Sequence, residues 1–456
     1  MIHTKHLAMA LLAGASLQAV AAVSAEEAKQ LGTTLTEFGA IKAGNADGSI
    51  PPYTGGLTKA PPGFKPGSGF WVDPYKDDKP LYRIDAKNMD KYADKLSDGQ
   101  KALLKKNPST YYIDVYPTRR SAAYPERVLK ATVRNATVCK TIKDGLGVGD
   151  GCRGGLPFPI PKTGNEAMHN QALRWQGDTA VSTPGSRSWV VDSSGNPVLT
   201  ATQRTLSDFT FYQTSLSDRD PSMAWRVYSY TTAPARKAGE MTGITDFIDP
   251  VEKPRRAWSY TPGQRRVKLS PEFSYDTPVA SQGGVTLFDE LFVFSGKQDR
   301  FDFKLLGKKE MIIAYNSYKN AYDCPTLELA LQKTHVNPVC ERWELHRVWV
   351  VEAKLKAGMR HAYSKRVYYF DEDMTGAASY DAYDQNGELH RAIFSGTTQF
   401  YDHDIPWTVR NVIYDFNKNY YAYVNDVMQG GFKVAPAALS ERDLNPEAIT
   451  ARETVR

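Results

Sequence analysis

At 456 residues, with 57 Lys and Arg against 51 Asp and Glu and a formal charge of +6, the chain can hold one large or two ordinary domains and is only mildly basic. Its basic residues are spread among acids rather than gathered in a stripe, which argues against nucleic acid as a partner. Hydrophobic content of 41% with 26 Tyr and 8 Trp is enough for a substantial core, and this aromatic richness favours pleated sheet over helix.

Lys5 and His6 precede an apolar run from Leu7 to Val23 that is broken by Gly14, Ser16 and Gln18, too short and interrupted for a stable membrane span. Small Val23 and Ala25 flank Ser24, and Glu26-Glu27 follows at once. This is the pattern of a signal peptide, residues 1–25, cleaved after Ala25. The expectation is export to the periplasm, without a lipid anchor because no cysteine lies near the cut.

Residues 26–85 are rich in Gly and Pro, with Tyr53, Phe64, Phe70 and Trp71 interspersed, and read as an extended arm lying on the main body. A helical and loop segment, 86–185, follows. Ser97 and Gln100 have capping-box spacing ahead of KALLKK, and Pro125 can open a helix with Val128, Leu129, Thr132, Val133 and Ala136 on one side. A third helix is predicted over 165–175, where Met168, Ala172 and Trp175 form an amphipathic stripe. The four cysteines fall as two local pairs, Cys139 with Cys152 and Cys324 with Cys340, read as disulfides in an oxidising compartment. Each would be worth roughly 3 kcal/mol in the chain-entropy model.

From about 186 to 430 the period changes to two, as in Phe209 and Phe211 or Trp225 and Val227, and strands are predicted to dominate. Thr261-Pro262-Gly263-Gln264 suits a type II turn and Asn386-Gly387 a type I′ hairpin. The longest predicted strand, 342–354, sets Trp343, Leu345, Arg347, Trp349, Val351 and Ala353 on one face. Arg342, Glu344, His346, Glu352 and Lys354 fall on the other, with Val348 and Val350 between them, and this face reads as largely wet. Residues 431–456 form a C-terminal tail.

Sites of known chemistry are scarce. Gly149, Gly151 and Gly154 fit a dinucleotide fingerprint by spacing, but Cys152 sits inside it and Pro157 and Pro159 follow, so a disulfide-tied loop is the better reading. Asp371-Glu372-Asp373 and Asp402-His403-Asp404 have hard oxygen ligands for Ca²⁺, but lack the Gly and distant Glu of a calcium loop and read as solvated turn carboxylates. No Gly-x-Ser-x-Gly, P-loop or His-Glu-x-x-His is present, and no catalytic residue, metal ligand or cofactor is assigned.

The arm LTEFGAIKAGNADGSIPPYTGGL, the segment GGLPFPIPKTGNEAMHN, and the stretches TPGQRRVKLSP and FKLLGKKEMIIAYN resemble the domain-of-unknown-function family thirteen twenty-nine, exported proteins related to outer-membrane lipoprotein sorting. The resemblance runs over nearly the whole mature chain. It implies a fold similar to LolA and LolB: mainly β, a strongly curved antiparallel sheet forming an unclosed barrel, with a few covering helices. It also implies a periplasmic, non-enzymatic binding or carrier protein for a lipid or other hydrophobic ligand, serving lipoprotein sorting or delivery to or from an RND-type exporter and an outer-membrane protein. The candidates for an apolar cavity are Phe209, Phe211, Trp225, Val227, Trp258, Tyr260, Trp343, Trp349 and Val351. A polysaccharide-binding protein or hydrolase, using exposed aromatic rows, and a structural adaptor of an export complex stay open as alternatives.

Overall fold

Alternation of inward and outward side chains organises the chain from Tyr82 onward into one large sheet. The computed structural model describes residues 23–183, 185–324, 326–428, 430–434 and 439–454; of the predicted signal peptide, all but the last three residues lie outside these. In chain order the strands are β1 (Tyr82–Ile84), β2 (Ile113–Tyr116), β3 (Thr141–Ile142), β4 (Gly147–Val148), β5 (Thr179–Thr183), β6 (Ser186–Val191), β7 (Pro197–Asp208), β8 (Met223–Ala233), β9 (Met241–Phe247), β10 (Arg256–Thr261) and β11 (Arg266–Leu269). After a long connection come β12 (Phe301–Ala314), β13 (Trp343–Leu355), β14 (Lys365–Asp371), β15 (Ala377–Tyr383), β16 (Leu389–Phe400), β17 (Ile405–Asp415), β18 (Tyr420–Asp426) and β19 (Gly431–Val434). The helices are α1 (Ala25–Ala28), α2 (Asp98–Lys106), α3 (Glu126–Val138), α4 (Gly164–Ala172), α5 (Leu327–Ala330) and α6 (Pro446–Thr454).

Antiparallel ladders lead from β12 through β13, β14, β15, β16, β17 and β18. There β18 takes β6 as its next neighbour, and β7, β8, β9, β10 and β11 follow. Short β5 and β19 pair beside that path, and β1 with β2 adds a flap whose β2 runs parallel to the start of β13. The sheet therefore extends past the predicted 186–430 at both ends. Its terminal strands β11 and β12 make no pairing with each other among the described residues, so the sheet is not closed. The segment 270–300 spans that gap. Strands far apart along the path, β8 to β10 and β16 to β18, face one another across a common interior, which is the signature of strong curvature.

Local chemistry explains the helices. Ser97 and Gln100 close a reciprocal capping box on α2, and Thr163 with Glu166 does the same on α4. α4 stops at Ala172, short of the predicted 175, leaving Trp175 buried after the helix, and Val133 on α3 is exposed rather than on the buried face. Phe209 and Phe211 do not sit on a strand: β7 ends at Asp208, and Phe211 lies in a 3₁₀ turn. Both predicted turn types are corrected. Gly263 lacks the positive φ that type II demands, and Arg265 takes it instead; at the second hairpin Gly387 has φ +81° while Asn386 does not share it. Asp384 Oδ1 accepts from Asn386 N and Glu388 N and so supports that turn from outside.

The second face of β13 is buried, not wet, over most of its length. The arm lies along the first face, where Arg347 donates to the Ala43 carbonyl; on the second face Val348 and Val350 join the core, Tyr315 stacks on His346 at 3.9 Å, and Glu344 accepts from Arg119 N at 2.7 Å. There Arg342 pairs with Glu344 at 2.6 Å and His346 bonds Glu344 at 3.0 Å. Asp371, Glu372 and Asp373 are buried too, overturning their reading as solvated turn carboxylates. Arg120 holds Asp373 at 2.7 Å and Lys308 holds Glu372 at 2.6 Å, and burial pushes the Asp371 carboxyl above its ordinary range. The bridges Cys139–Cys152 and Cys324–Cys340 are both formed, with Cα atoms 4.9 Å and 5.7 Å apart. Gly149, Gly151 and Gly154 lie in or beside the first bridge's loop, followed by no helix until Gly164.

Candidate functional site

Two adjoining lobes, of about 300 Å³ and about 380 Å³, lie between the curved sheet and the 270–300 segment. Both are of a size suited to small-molecule sites. Gln176, Phe209 and Phe292 border the two lobes together. The room exists because the inward positions of the wall strands are small. β7 turns Ala201, Gln203, Thr205 and Ser207 inward and β8 turns Val227, Ser229 and Thr231, all but Gln203 short, where large apolar residues would have filled the space. Apolar surface comes from Trp225 and Ile248 in the first lobe and from Val227, Ile244, Trp407 and Phe432 in the second.

The 270–300 segment is a cover held by buried charge. Asp289 Oδ2 accepts from Arg366 Nη2 at 2.6 Å and bonds His361 Nε2 at 3.0 Å. Glu290 accepts from Arg391 and from the Tyr363 hydroxyl, both at 2.7 Å. Burial alone would raise the Asp289 carboxyl, but the Arg366 charge and the His361 hydrogen bond outweigh it and hold it well below the usual carboxylate range. Arg255 adds a second staple, bidentate to Asp246 on β9 at 2.7 Å and also bonded to Ser295 on the cover. Phe292 and Val293 both adopt left-handed backbone, φ +56° and +73°, an uncommon conformation that sets the Phe292 ring against Trp225 at 5.5 Å.

The polar groups of the first lobe are few. His169 donates from Nε2 to the Gly145 carbonyl at 2.8 Å, and burial lowers its pKa to about 4, so it is neutral. Arg174 is 5% exposed and donates to the Gln171 carbonyl at 2.7 Å and to Gln176 Oε1 at 3.1 Å. Burial lowers its pKa to about 10, which leaves it charged at neutral pH.

Of the nine cavity candidates, four border the lobes: Phe209 both of them, Trp225 the first, Val227 and Tyr260 the second. Five lie elsewhere. Phe211 is in the core beside Tyr212, and Trp258 packs on the outer face with Tyr228, Leu444 and Ile449. Gly243 makes room there, since a Cβ at that position would come within 2.2 Å of the Trp258 indole. Trp343 packs edge-on against Phe394 in the core beneath α2, while Val351 is fully buried and Trp349 lies 4.5 Å below the Lys308 ammonium. The sequence reading missed Arg174, Gln176, Phe292, Trp407 and Phe432. The available signal was the run of small residues at alternate positions in VLTATQRTLSD and VYSYTTA, which marks a strand face with unfilled space.

Among the described residues no group of His, Cys, Asp and Glu side chains is arranged to hold a metal, and no helix is long and apolar enough to cross a membrane. Phe70 is the only exposed Phe, Tyr or Trp side chain among them.

The chain belongs to the family described as protein of unknown function (DUF1329), whose model matches residues 83–450. It is 41% identical over 459 residues to uncharacterized protein PA3922 of Pseudomonas aeruginosa, covering 98% of this chain and 97% of that one. Among solved structures it is similar to a putative outer membrane lipoprotein-sorting protein domain from Vibrio parahaemolyticus, at 12% identity and TM-score 0.41, covering 62% of this chain and 95% of that chain. A DUF1329 family protein from Desulfovibrio piger matches at 13% identity and TM-score 0.41 over the same shares. A LolA superfamily protein from Nitrosomonas europaea matches at 10% identity and TM-score 0.35, over 63% of this chain and 99% of that one.

Proposed function

We propose that this protein is a periplasmic, non-enzymatic carrier that binds a lipid or other hydrophobic ligand in the two-lobed cavity. One observation carries the reading: a sheet that packs large side chains along most of its length turns small ones inward over β7 and β8, and a stapled cover encloses the space. Periplasmic residence rests on the Lys5-to-Ala25 leader pattern. The energetics suffice without chemistry. At roughly 0.8 kcal/mol per methylene, about twelve buried methylenes contribute on the order of 10 kcal/mol relative to water before ordering costs, close to what the same chain gains in a bilayer, so exchange between the two needs no chemical step. The apolar residues proposed to touch the guest are Phe209, Trp225, Val227 and Phe292.

Native mass spectrometry of protein prepared gently from periplasm tests this. The wild type should carry a co-purifying lipid-sized mass, and Val227→Trp, which fills the second lobe, should reduce it while remaining folded. A ligand-free wild type, or a folded filled variant with undiminished lipid, would end the carrier reading.

A further inference from the structure

The first lobe holds one charge that the protein does not balance. Arg174, 5% exposed, has two hydrogen-bond acceptors, the Gln171 carbonyl and Gln176 Oε1, and both are neutral. Among the described residues it forms no ion pair. The other cations in the wall, Arg255 and Lys297, are matched by Asp246 at 2.7 Å and Asp299 at 3.2 Å, and the acid Asp289 by Arg366 at 2.6 Å. A guanidinium offers five N–H donors, so Arg174 has donors left over. Burying such a charge without a counter-ion is costly, and proteins keep few of them unless something else supplies the anion. The side chain is also fixed in place: its Cδ and Nε lie so close to Gly376 that a Cβ there would come within 2.5 Å and 3.0 Å of them. Gln176, its acceptor, borders both lobes.

We propose that the ligand is an anionic amphiphile whose carboxylate or phosphate pairs with the guanidinium of Arg174, while its apolar body lies among Phe209, Trp225 and Phe292. This rests on the carrier reading and narrows it to one head-group charge. The planar fork of arginine suits both acids by bidentate hydrogen bonding, and the dry surroundings strengthen the pair.

The test uses the full chain as it is exported, with palmitate, hexadecyl phosphate and hexadecanol competing against a fluorescent lipid. Their tails match, so the head group decides. At least one acid should bind about tenfold or more tightly than the alcohol, the gain expected for a charge-assisted hydrogen bond. Preference for palmitate identifies a carboxylate, and preference for hexadecyl phosphate a phosphate. Arg174→Met and Arg174→Gln should abolish the acid preference and leave hexadecanol binding unchanged. Equal binding of all three probes by the wild type, or an acid preference that survives in either variant, overturns the proposal and leaves the carrier reading standing. Failure of all three to bind overturns both. If neither variant folds, Arg174 is part of the scaffold and the assignment falls.

Discussion

Removing the Asp289 carboxylate should release the cover while the sheet stays folded. Asp289 is the only carboxylate paired with Arg366 among the described residues, at 2.6 Å, and Arg366 is fully buried between the Phe301 and Tyr363 rings. Asp289→Ala therefore strands a guanidinium in the core, a change that costs about 3–5 kcal/mol when one partner of a buried pair is deleted. The ladders of β12 to β18 do not involve Asp289, and the staple from Arg255 to Ser295 remains, so the damage should concentrate in 270–300. Amide exchange read by mass spectrometry should show faster exchange there than in β16 and β17, and urea melts should give the midpoint loss. Arg366→Met in the same chain removes the stranded charge and should recover at least half of that loss. A single variant that costs less than about 1 kcal/mol, or a double variant as unstable as the sum of the singles, would refute the anchoring role.

Two further outcomes follow from the same geometry. His169 has its folded pKa depressed to about 4 from 6.5, so protons favour the unfolded chain: its contribution is complete above pH 6.5 and is lost as pH falls toward 4, at up to ~1.4 kcal/mol per pH unit. His169→Gln should flatten the stability curve in that window, and an unchanged slope in urea midpoints against pH would remove His169 from the account. Non-reducing peptide mapping should recover Cys139 linked to Cys152 and Cys324 linked to Cys340; replacing the first pair by serine should lower stability by about 3 kcal/mol, and crossed pairs or free thiols would contradict the structure.

The sequence was most legible where the signal is local. The capping box at Ser97 is satisfied by a residue three positions away, and the cysteine pairs are close in the chain, so no tertiary knowledge was needed. Period two likewise marked β8, β10 and β13. It could not say which face of a strand is hollow. Trp225 and Trp258 sit on neighbouring stretches of the same sheet with equal alternation, yet one borders the cavity and the other packs outside against Leu444 and Ile449 of the tail. The same limit hid the buried charge under β13. Glu344 and His346 read as solvent-facing because what covers them is distant in the chain: Arg119, 225 residues earlier, donates its N–H to Glu344, and Tyr315 stacks on His346 at 3.9 Å. Arg174 was invisible for a related reason: nothing in its neighbours says that no carboxylate will arrive.

The arrangement of large and small side chains along the sheet explains how one fold can be both stable and hollow. Around β14 to β16 the interior is filled by Tyr363, Tyr368, Phe370, Tyr380 and Ile393, packed ring against ring, as where Tyr368 meets Tyr380 at 5.0 Å. Dense packing of that kind supplies the dispersion and burial that fold the domain. Around β7 and β8 the inward residues shrink to Ala201, Ser207, Ser229 and Thr231, which contribute far less burial. The cover joins the halves. Its acids, Asp289 and Glu290, are rooted in the filled half through Arg366 on β14 and Arg391 on β16, while its Phe288 and Phe292 reach over the hollow half. On the carrier reading, a guest in the lobes would meet a wall whose stability is secured elsewhere, and its apolar surface would complete the core that the small residues leave open.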